Sequence, residues 1–295
     1  MTPRSLALQR ARTQGESGLV FDTAGGLTRA VHDGCFLLAV PAHIDLTPGV
    51  RLCREFYRPV GDGDPATAGY RGFRDRDVYF DREHFQTEHI LTDGPARIGR
   101  FPAELTGMTD HMHALALLVL RAVLTETGIA PDLWSRVTAG TVDGRGTHWF
   151  AASHYRPERE QPGCAPHQDT GFVTVLYIDQ EGLEARVGDE WVSVDPVPGH
   201  FLVNFGAAFE LLTSELPRPV TAVLHQVRRT RPTPGGEDRF SFAAFANPPA
   251  TGELYRIRAD GSATPVQSVE EFLRDFNDRT WKDRHTDFGI TAGRP

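Results

Sequence analysis

The 295-residue chain is poor in cysteine and almost without lysine, and both scarcities narrow what it can be. Its three cysteines, Cys35, Cys53 and Cys164, are too few and too scattered for a disulfide framework or a cysteine-rich zinc site, so reduced thiols are expected. Lysine occurs once, at Lys282, there is no dense basic run, and the formal net charge is −8. A nucleic-acid or anionic-membrane surface is therefore not expected. No apolar stretch approaches the ~18 residues needed to span a bilayer, and the first ten residues lack the apolar segment of a secretory signal. The expectation is a cytoplasmic protein with no membrane, nucleic-acid or obligate protein partner. A His-Glu-x-x-His motif, internal repeats and low-complexity tracts are missing too, which leaves small-molecule chemistry in a chain long enough for a large core.

Residues 1–30 are polar and contain glycine, and read as a flexible lead-in to a single domain over 31–295. Residues 31–40 read as a turn and a buried strand ended by Pro41. Thr47-Pro48 signals a helix, with Thr47 as N-cap and Val50, Cys53, Phe56 and Tyr57 on one apolar face. Loop composition follows, and includes Tyr70, Arg71, Gly72, Phe73 and Arg74, a mixture that suits either the border of a ligand site or solvated charge. Residues 109–128 carry Met112, Leu115, Ala116, Val119, Leu120 and Val123 at helical spacing, with Gly128 as the C-terminal cap. From about residue 147 the period becomes two. Strand candidates are 148–154, 172–178, 183–187, 191–194, 201–205, 222–226 and 240–246, as in a double-sheet β fold. Residues 269–281 are again helical and are placed as a cover over the barrel. The division is a helical N-terminal part over 31–146, a core with the metal site over 147–250 and a C-terminal helical cover over 251–295.

The candidate chemical centre is the stretch from Pro166 to Tyr177. His167 and Asp169 stand two apart at the head of the 172–178 strand, and on an extended backbone residues i and i+2 share a face. One imidazole and one carboxylate are two of the three ligands of the 2-His-1-carboxylate triad. Alone the pair is weak, because a surface turn accounts for it at least as readily. His225, in the apolar run 222–227, supplies the third ligand, although a lone strand histidine is more often a hydrogen-bonded core residue. Further on, Arg239 and Ser241 share the inner face of the last strand. An inward arginine is costly to bury without an anion, and its planar fork matches a carboxylate. Pairing with an internal Asp or Glu would satisfy it equally well.

Taken in order, these segments resemble the isopenicillin N synthase-like Fe(II)/2-oxoglutarate-dependent dioxygenases. The family's His-x-Asp appears as His167-Gln168-Asp169, its Gly-x-Leu-x-Val-Asn-x-Gly segment as residues 199–206, its His-Arg-Val as His225-Gln226-Val227, and its Arg-x-Ser and Asn-Pro end as Arg239-Phe240-Ser241 through Asn247-Pro248. Ser153-His154-Tyr155 is similar to the family's Asn-x-Tyr, and Gly34-Cys35-Phe36 to its Gly-Phe-Phe strand. Three departures stand out: Ser153 replaces an asparagine, Gln226 an arginine, and the loop 231–237 is longer than usual.

The resemblance implies an α+β, mainly β fold with a double-stranded β-helix core (jelly roll, cupin-like), flanking N-terminal helices and a C-terminal helix. It implies an oxidoreductase using Fe(II), 2-oxoglutarate and O2, with His167, Asp169 and His225 on the metal and Arg239, Ser241 and Tyr155 on the 2-oxoglutarate. No catalytic residue beyond the metal ligands is expected. Hydroxylation of a small molecule is the default outcome, with desaturation or cyclisation open, in specialised metabolite biosynthesis. Because the carboxylate ligand is kept as Asp169, halogenation is not expected. The expected substrate contacts are Tyr70, Arg71, Phe73, Arg74, Phe150 and Phe245 at the barrel mouth. Three other readings compete: an oxidase of the isopenicillin N synthase type without 2-oxoglutarate, a non-enzymatic cupin-like module holding a small acid, and a zinc hydrolase on the same three ligands.

Overall fold

A computed structural model describes residues 5–15, 18–231, 236–281 and 287–290. The chain starts with a hairpin of β1 (Arg10–Gln14) and β2 (Gly18–Phe21), followed by α1 (Gly26–Asp33) and β3 (Cys35–Ala39). Next come α2 (Thr47–Glu55), β4 (Tyr79–Asp81), β5 (Thr87–Thr92), the short α3 (Gly94–Arg97), the long α4 (Ala103–Glu126) and α5 (Trp134–Val137). Six strands follow: β6 (Thr147–Tyr155), β7 (Cys164–His167), β8 (Val173–Ile178), β9 (Leu183–Val187), β10 (Glu190–Ser193) and β11 (His200–Phe205). The remainder is α6 (Ala207–Thr213), β12 (His225–Val227), β13 (Phe240–Asn247), the hairpin β14 (Glu253–Ile257) and β15 (Ala263–Ser268), and α7 (Val269–Thr280).

Nine strands form one sheet in the order β2-β1-β3-β11-β8-β13-β6-β5-β4, and four form a second in the order β10-β9-β12-β7. The period of two sorts the larger sheet's residues between two environments. Phe150, Val175, Val203, Phe242 and Ala244 face a core shared with α2 and α4. Tyr155, Ile178 and Leu202 face the other way and meet Cys164, Leu183 and Val227 of the smaller sheet. Two sheets packed in this way make the double-stranded β-helix. Helix α4 runs 24 residues, about 36 Å at 1.5 Å per residue. Its buried stripe of Leu105, Met108, Met112, Leu115, Val119 and Val123 seals the back of the sheet. Truncating one of its buried leucines to alanine costs roughly 2–5 kcal/mol. Among the described residues, no helix is long and apolar enough to cross a membrane.

The structure corrects several expectations. Within the expected lead-in 1–30, residues 10–21 are held to the sheet: β1 pairs in parallel with β3, Ala11 is buried, and the Phe21 ring lies 5.1 Å from that of Phe36. The strands were hidden because β1, Arg-Ala-Arg-Thr-Gln, buries only one small side chain. Residues 31–33 belong to α1, which ends on Gly34 at φ 82°, a left-handed conformation that suits glycine. Thr47 is the first residue of α2 and not its cap; its N–H donates to Asp45 Oδ1 at 2.9 Å. Helix α4 begins at Ala103, six positions before the expected start. Within 60–108, β4 and β5 extend the large sheet. In the C-terminal part, the hairpin β14–β15 precedes the expected helix, which starts on a capping box of Ser268 and Glu271.

Candidate active site

Antiparallel pairing of β12 with β7 sets His225 directly opposite His167, with ring centroids 4.3 Å apart. The two histidines, 58 positions apart in the chain, thus become cross-strand neighbours. His167 ends β7, so the turn after that strand, and not the strand 173–178, carries Asp169. Asp169 Oδ1 lies 3.7 Å from His167 Nε2 and 3.8 Å from His225 Nε2. Both distances are below the ~4.2 Å that two metal–ligand bonds of about 2.1 Å can bridge.

The surroundings prepare each atom for ligation. His167 Nδ1–H donates to Ala165 O at 2.8 Å and His225 Nδ1–H to Val223 O at 3.1 Å, and since a carbonyl only accepts, each Nε2 keeps its lone pair. Asp169 Oδ2 accepts from Thr174 Oγ1 at 2.5 Å and from Asn204 Nδ2 at 2.6 Å, which leaves Oδ1 to face the histidines. Burial, reinforced by His225, pushes the His167 imidazolium down to about 4. For Asp169 burial acts to raise the carboxyl, but His225, His167 and the two donors outweigh it and the pKa is lowered. A neutral imidazole beside an ionised carboxylate is what a divalent metal requires. Two nitrogens and one oxygen on one side, with the cavity on the other, fit non-haem iron.

Arg239, Ser241 and Tyr155 line the same cavity of about 170 Å³ as the three candidate ligands. Arg239 is 4% exposed, and its guanidinium lies 4.4 Å from the centroid of the Tyr155 ring. Its Nε–H donates to Glu181 O at 3.1 Å, but buried Nη1 has no hydrogen-bond partner among the described residues. Among the described residues no carboxylate pairs with it, so the alternative of an internal ion pair is not realised. A buried cationic donor left unpaired is costly. Its presence at the end of a cavity fits an anionic ligand. Burial raises the phenol pKa of Tyr155, which stays a neutral donor.

The expected substrate contacts divide. Phe245 lines the cavity. Phe150 does not: Trp149, Ala151, Ser153 and Tyr155 of β6 point inward, and alternation turns Phe150 into the helix-side core. Tyr70, Arg71, Phe73 and Arg74 are also away from it. Tyr70 donates to Glu104 and Phe73 is fully buried in the core. Arg71 pairs with Glu55, and Arg74 forks onto Glu88 at 2.7 and 2.9 Å. The mixture of aromatics and charge is resolved by internal acids, not by a ligand. Sequence reasoning missed Leu91, Trp149, Trp281 and Phe288, which line the cavity, and Thr174, which orients Asp169. Asn204 lay within a motif already recognised.

Residues 147–248 match the family model of the 2OG-Fe(II) oxygenase superfamily. Among curated proteins, the Arabidopsis thaliana 1-aminocyclopropane-1-carboxylate oxidase homolog 10 is 32% identical over 139 residues, 45% of this chain and 34% of that protein. Jasmonate-induced oxygenase 2 of the same plant is 27% identical over 165 residues, 54% and 38% of the two chains. These matches span little more than a third of the relatives' length. The crystal structure of JOX2 in complex with 2OG, Fe and JA superimposes with a TM-score of 0.68 at 18% identity, covering 99% of this chain and 91% of that one. The dioxygenase for auxin oxidation 1 from Arabidopsis thaliana, as its binary complex with 2-oxoglutarate, gives 0.59 at 17% identity, covering 82% and 93%.

Proposed function

We propose that the chain, whose residues 147–248 match the family model of the 2OG-Fe(II) oxygenase superfamily, is an Fe(II)- and 2-oxoglutarate-dependent oxygenase acting on a small molecule. The observation that carries the reading is a single cavity with a poised three-ligand cluster and the unpaired Nη1 of Arg239. His167, Asp169 and His225 would hold the iron. Arg239 would take the far carboxylate of 2-oxoglutarate, with the Ser241 and Tyr155 hydroxyls as further donors. The iron, when bound with 2-oxoglutarate, supplies oxygen activation coupled to decarboxylation of the co-substrate.

The protein's own contribution is placement. Thr174 and Asn204 fix the carboxylate so that one oxygen remains for the metal. The backbone carbonyls of Ala165 and Val223 fix both imidazole tautomers. Leu176, Ile178 and Leu183 wall the cavity with apolar surface, which strengthens each charged contact inside it. The protein's place would be in the biosynthesis of a specialised metabolite.

The test is to load the protein with Fe(II) without oxygen, add 2-oxoglutarate and air, and screen small molecules for substrate-dependent succinate release, with mass spectrometry following oxygen gain or hydrogen loss. Succinate in step with product supports the reading. Oxidised product without succinate would favour the oxidase that needs no 2-oxoglutarate, and Fe(II) binding with neither product would favour a non-enzymatic module.

A further inference from the structure

The cavity continues past the metal ligands into a chamber walled by rings. Trp149 and Phe245 are direct cross-strand partners on β6 and β13 and both line it. Opposite chain segments complete the wall: Phe288 stacks on the His89 ring at 5.3 Å and meets Phe80 edge-on at 5.0 Å. Fully buried Arg82 lies 4.1 Å from the Trp281 ring centroid and 4.3 Å from that of Phe288, a cation between two aromatic faces that ties the C-terminal segment to the barrel. The wall reaches the metal site, because the Trp281 ring lies 5.6 Å from that of His167.

Two chemical facts define an occupant. Among the described residues lining the cavity, the only formally charged side chains are Asp169 and Arg239, both assigned to metal and co-substrate. Trp281 is 6% exposed, and its buried indole Nε1–H has no hydrogen-bond partner among the described residues. A buried donor of this kind costs free energy unless a ligand supplies an acceptor.

We infer that the substrate is a largely apolar, ring-bearing small molecule with a hydrogen-bond acceptor, packed against Trp149 and Phe245 and bonded through that acceptor to Trp281 Nε1–H. The inference deepens the oxygenase reading by naming a substrate class, and rests on it only for the fate of the molecule and not for its binding.

Isothermal titration of the full chain with 1-tetralone, tetralin and decanoate separates the terms: a ring with an acceptor, the same ring without one, and an anionic chain. Saturable 1:1 binding of 1-tetralone is expected, about fivefold tighter than tetralin and about tenfold tighter than decanoate. Phe245→Ala weakens 1-tetralone about tenfold, while an Ni(II) titration of the same variant stays unchanged and reports a folded metal site. Trp281→Phe keeps a ring and removes the N–H, so it abolishes the preference for 1-tetralone over tetralin. Absence of 1-tetralone binding, tighter decanoate binding, indifference to Phe245→Ala, or a preference that survives Trp281→Phe would each overturn the inference. Probe binding by a protein that gives no Fe(II)-dependent succinate with any compound of the small-molecule screen would instead sink the oxygenase reading and leave the chamber standing.

Discussion

Replacing Arg239 by methionine separates a ligand-binding arginine from a structural one. In the free protein the guanidinium has one backbone acceptor, Glu181 O, and the Tyr155 face, while Nη1 is buried without a partner. Replacing buried ionic groups by apolar side chains of similar volume is often neutral or stabilising, by about 1–4 kcal/mol for whole ion pairs. Loss of the cation–π contact offsets about 1–2 kcal/mol of that. Without 2-oxoglutarate, the melting temperature of Arg239→Met therefore stays within about 4 °C of wild type. With 2-oxoglutarate the proteins diverge. Two charge-assisted hydrogen bonds of about 1.5–3 kcal/mol each are lost, roughly a 10²- to 10⁴-fold fall in affinity. At a concentration 100 times its Kd, the ligand stabilises wild type by about 2.7 kcal/mol and the variant by no more than about 0.4 kcal/mol. Differential scanning fluorimetry with Ni(II), with and without 2-oxoglutarate, reads both quantities. An Arg239→Met protein that melts far lower without ligand, or that keeps its 2-oxoglutarate shift, would refute the assignment.

Asn204→Ala removes one of the two donors on Asp169 Oδ2 and is expected to weaken Co(II) or Fe(II) binding about 10–100-fold; calorimetric titration checks this, with circular dichroism confirming an unchanged fold. A Cβ at Gly206 would stand 2.3 Å from Gly171 O and 2.8 Å from Asp169 O, both backbone atoms that cannot swing away. Gly206→Ala should therefore displace the turn carrying Asp169 and lower both thermal stability and metal affinity, whereas loss of stability with metal affinity intact would contradict the placement. Glu88 is fully buried: burial alone would raise its carboxyl, but His154, Arg74 and Tyr79, with Arg156 behind them, hold it at about 2 against an ordinary 4.5. A depressed carboxyl stabilises the fold above the unfolded pKa and loses that contribution as pH falls. Glu88→Gln should thus be less stable than wild type by on the order of 3 kcal/mol at neutral pH, with the gap closing between pH 4.5 and about 2. A gap independent of pH in urea titrations would show that the pairing is not electrostatic.

The legible parts of this chain were those whose chemistry is local. Period two exposed the core strands, and His-x-Asp, the strand histidine and Arg-x-Ser could be ranked by ligand chemistry before any geometry. What made them a site was not local: the cross-strand register of His225 with His167 arises from a three-residue strand beside a four-residue one that contains a proline. Neither strand is long enough to show an alternation. Nor did β5 declare itself, since residues 87–92 were assigned to no element, and the C-terminal ring wall was equally hidden, because Trp281 and Phe288 acquire meaning only when docked on His89 of β5 and on Arg82. Arg71 and Arg74 failed as substrate contacts because their partners, Glu55 and Glu88, are 16 and 14 residues away and invisible to composition. Phe150 failed by one step of the strand period.

A crystal structure after anaerobic soaking with Fe(II) and 2-oxoglutarate tests the central claim most directly. The account predicts one ion about 2.0–2.3 Å from His167 Nε2, Asp169 Oδ1 and His225 Nε2, with a 2-oxoglutarate carboxylate on Arg239 Nη1. An ion held by other residues, or an occupied metal site with Arg239 Nη1 still unpaired in the presence of saturating 2-oxoglutarate, would contradict it.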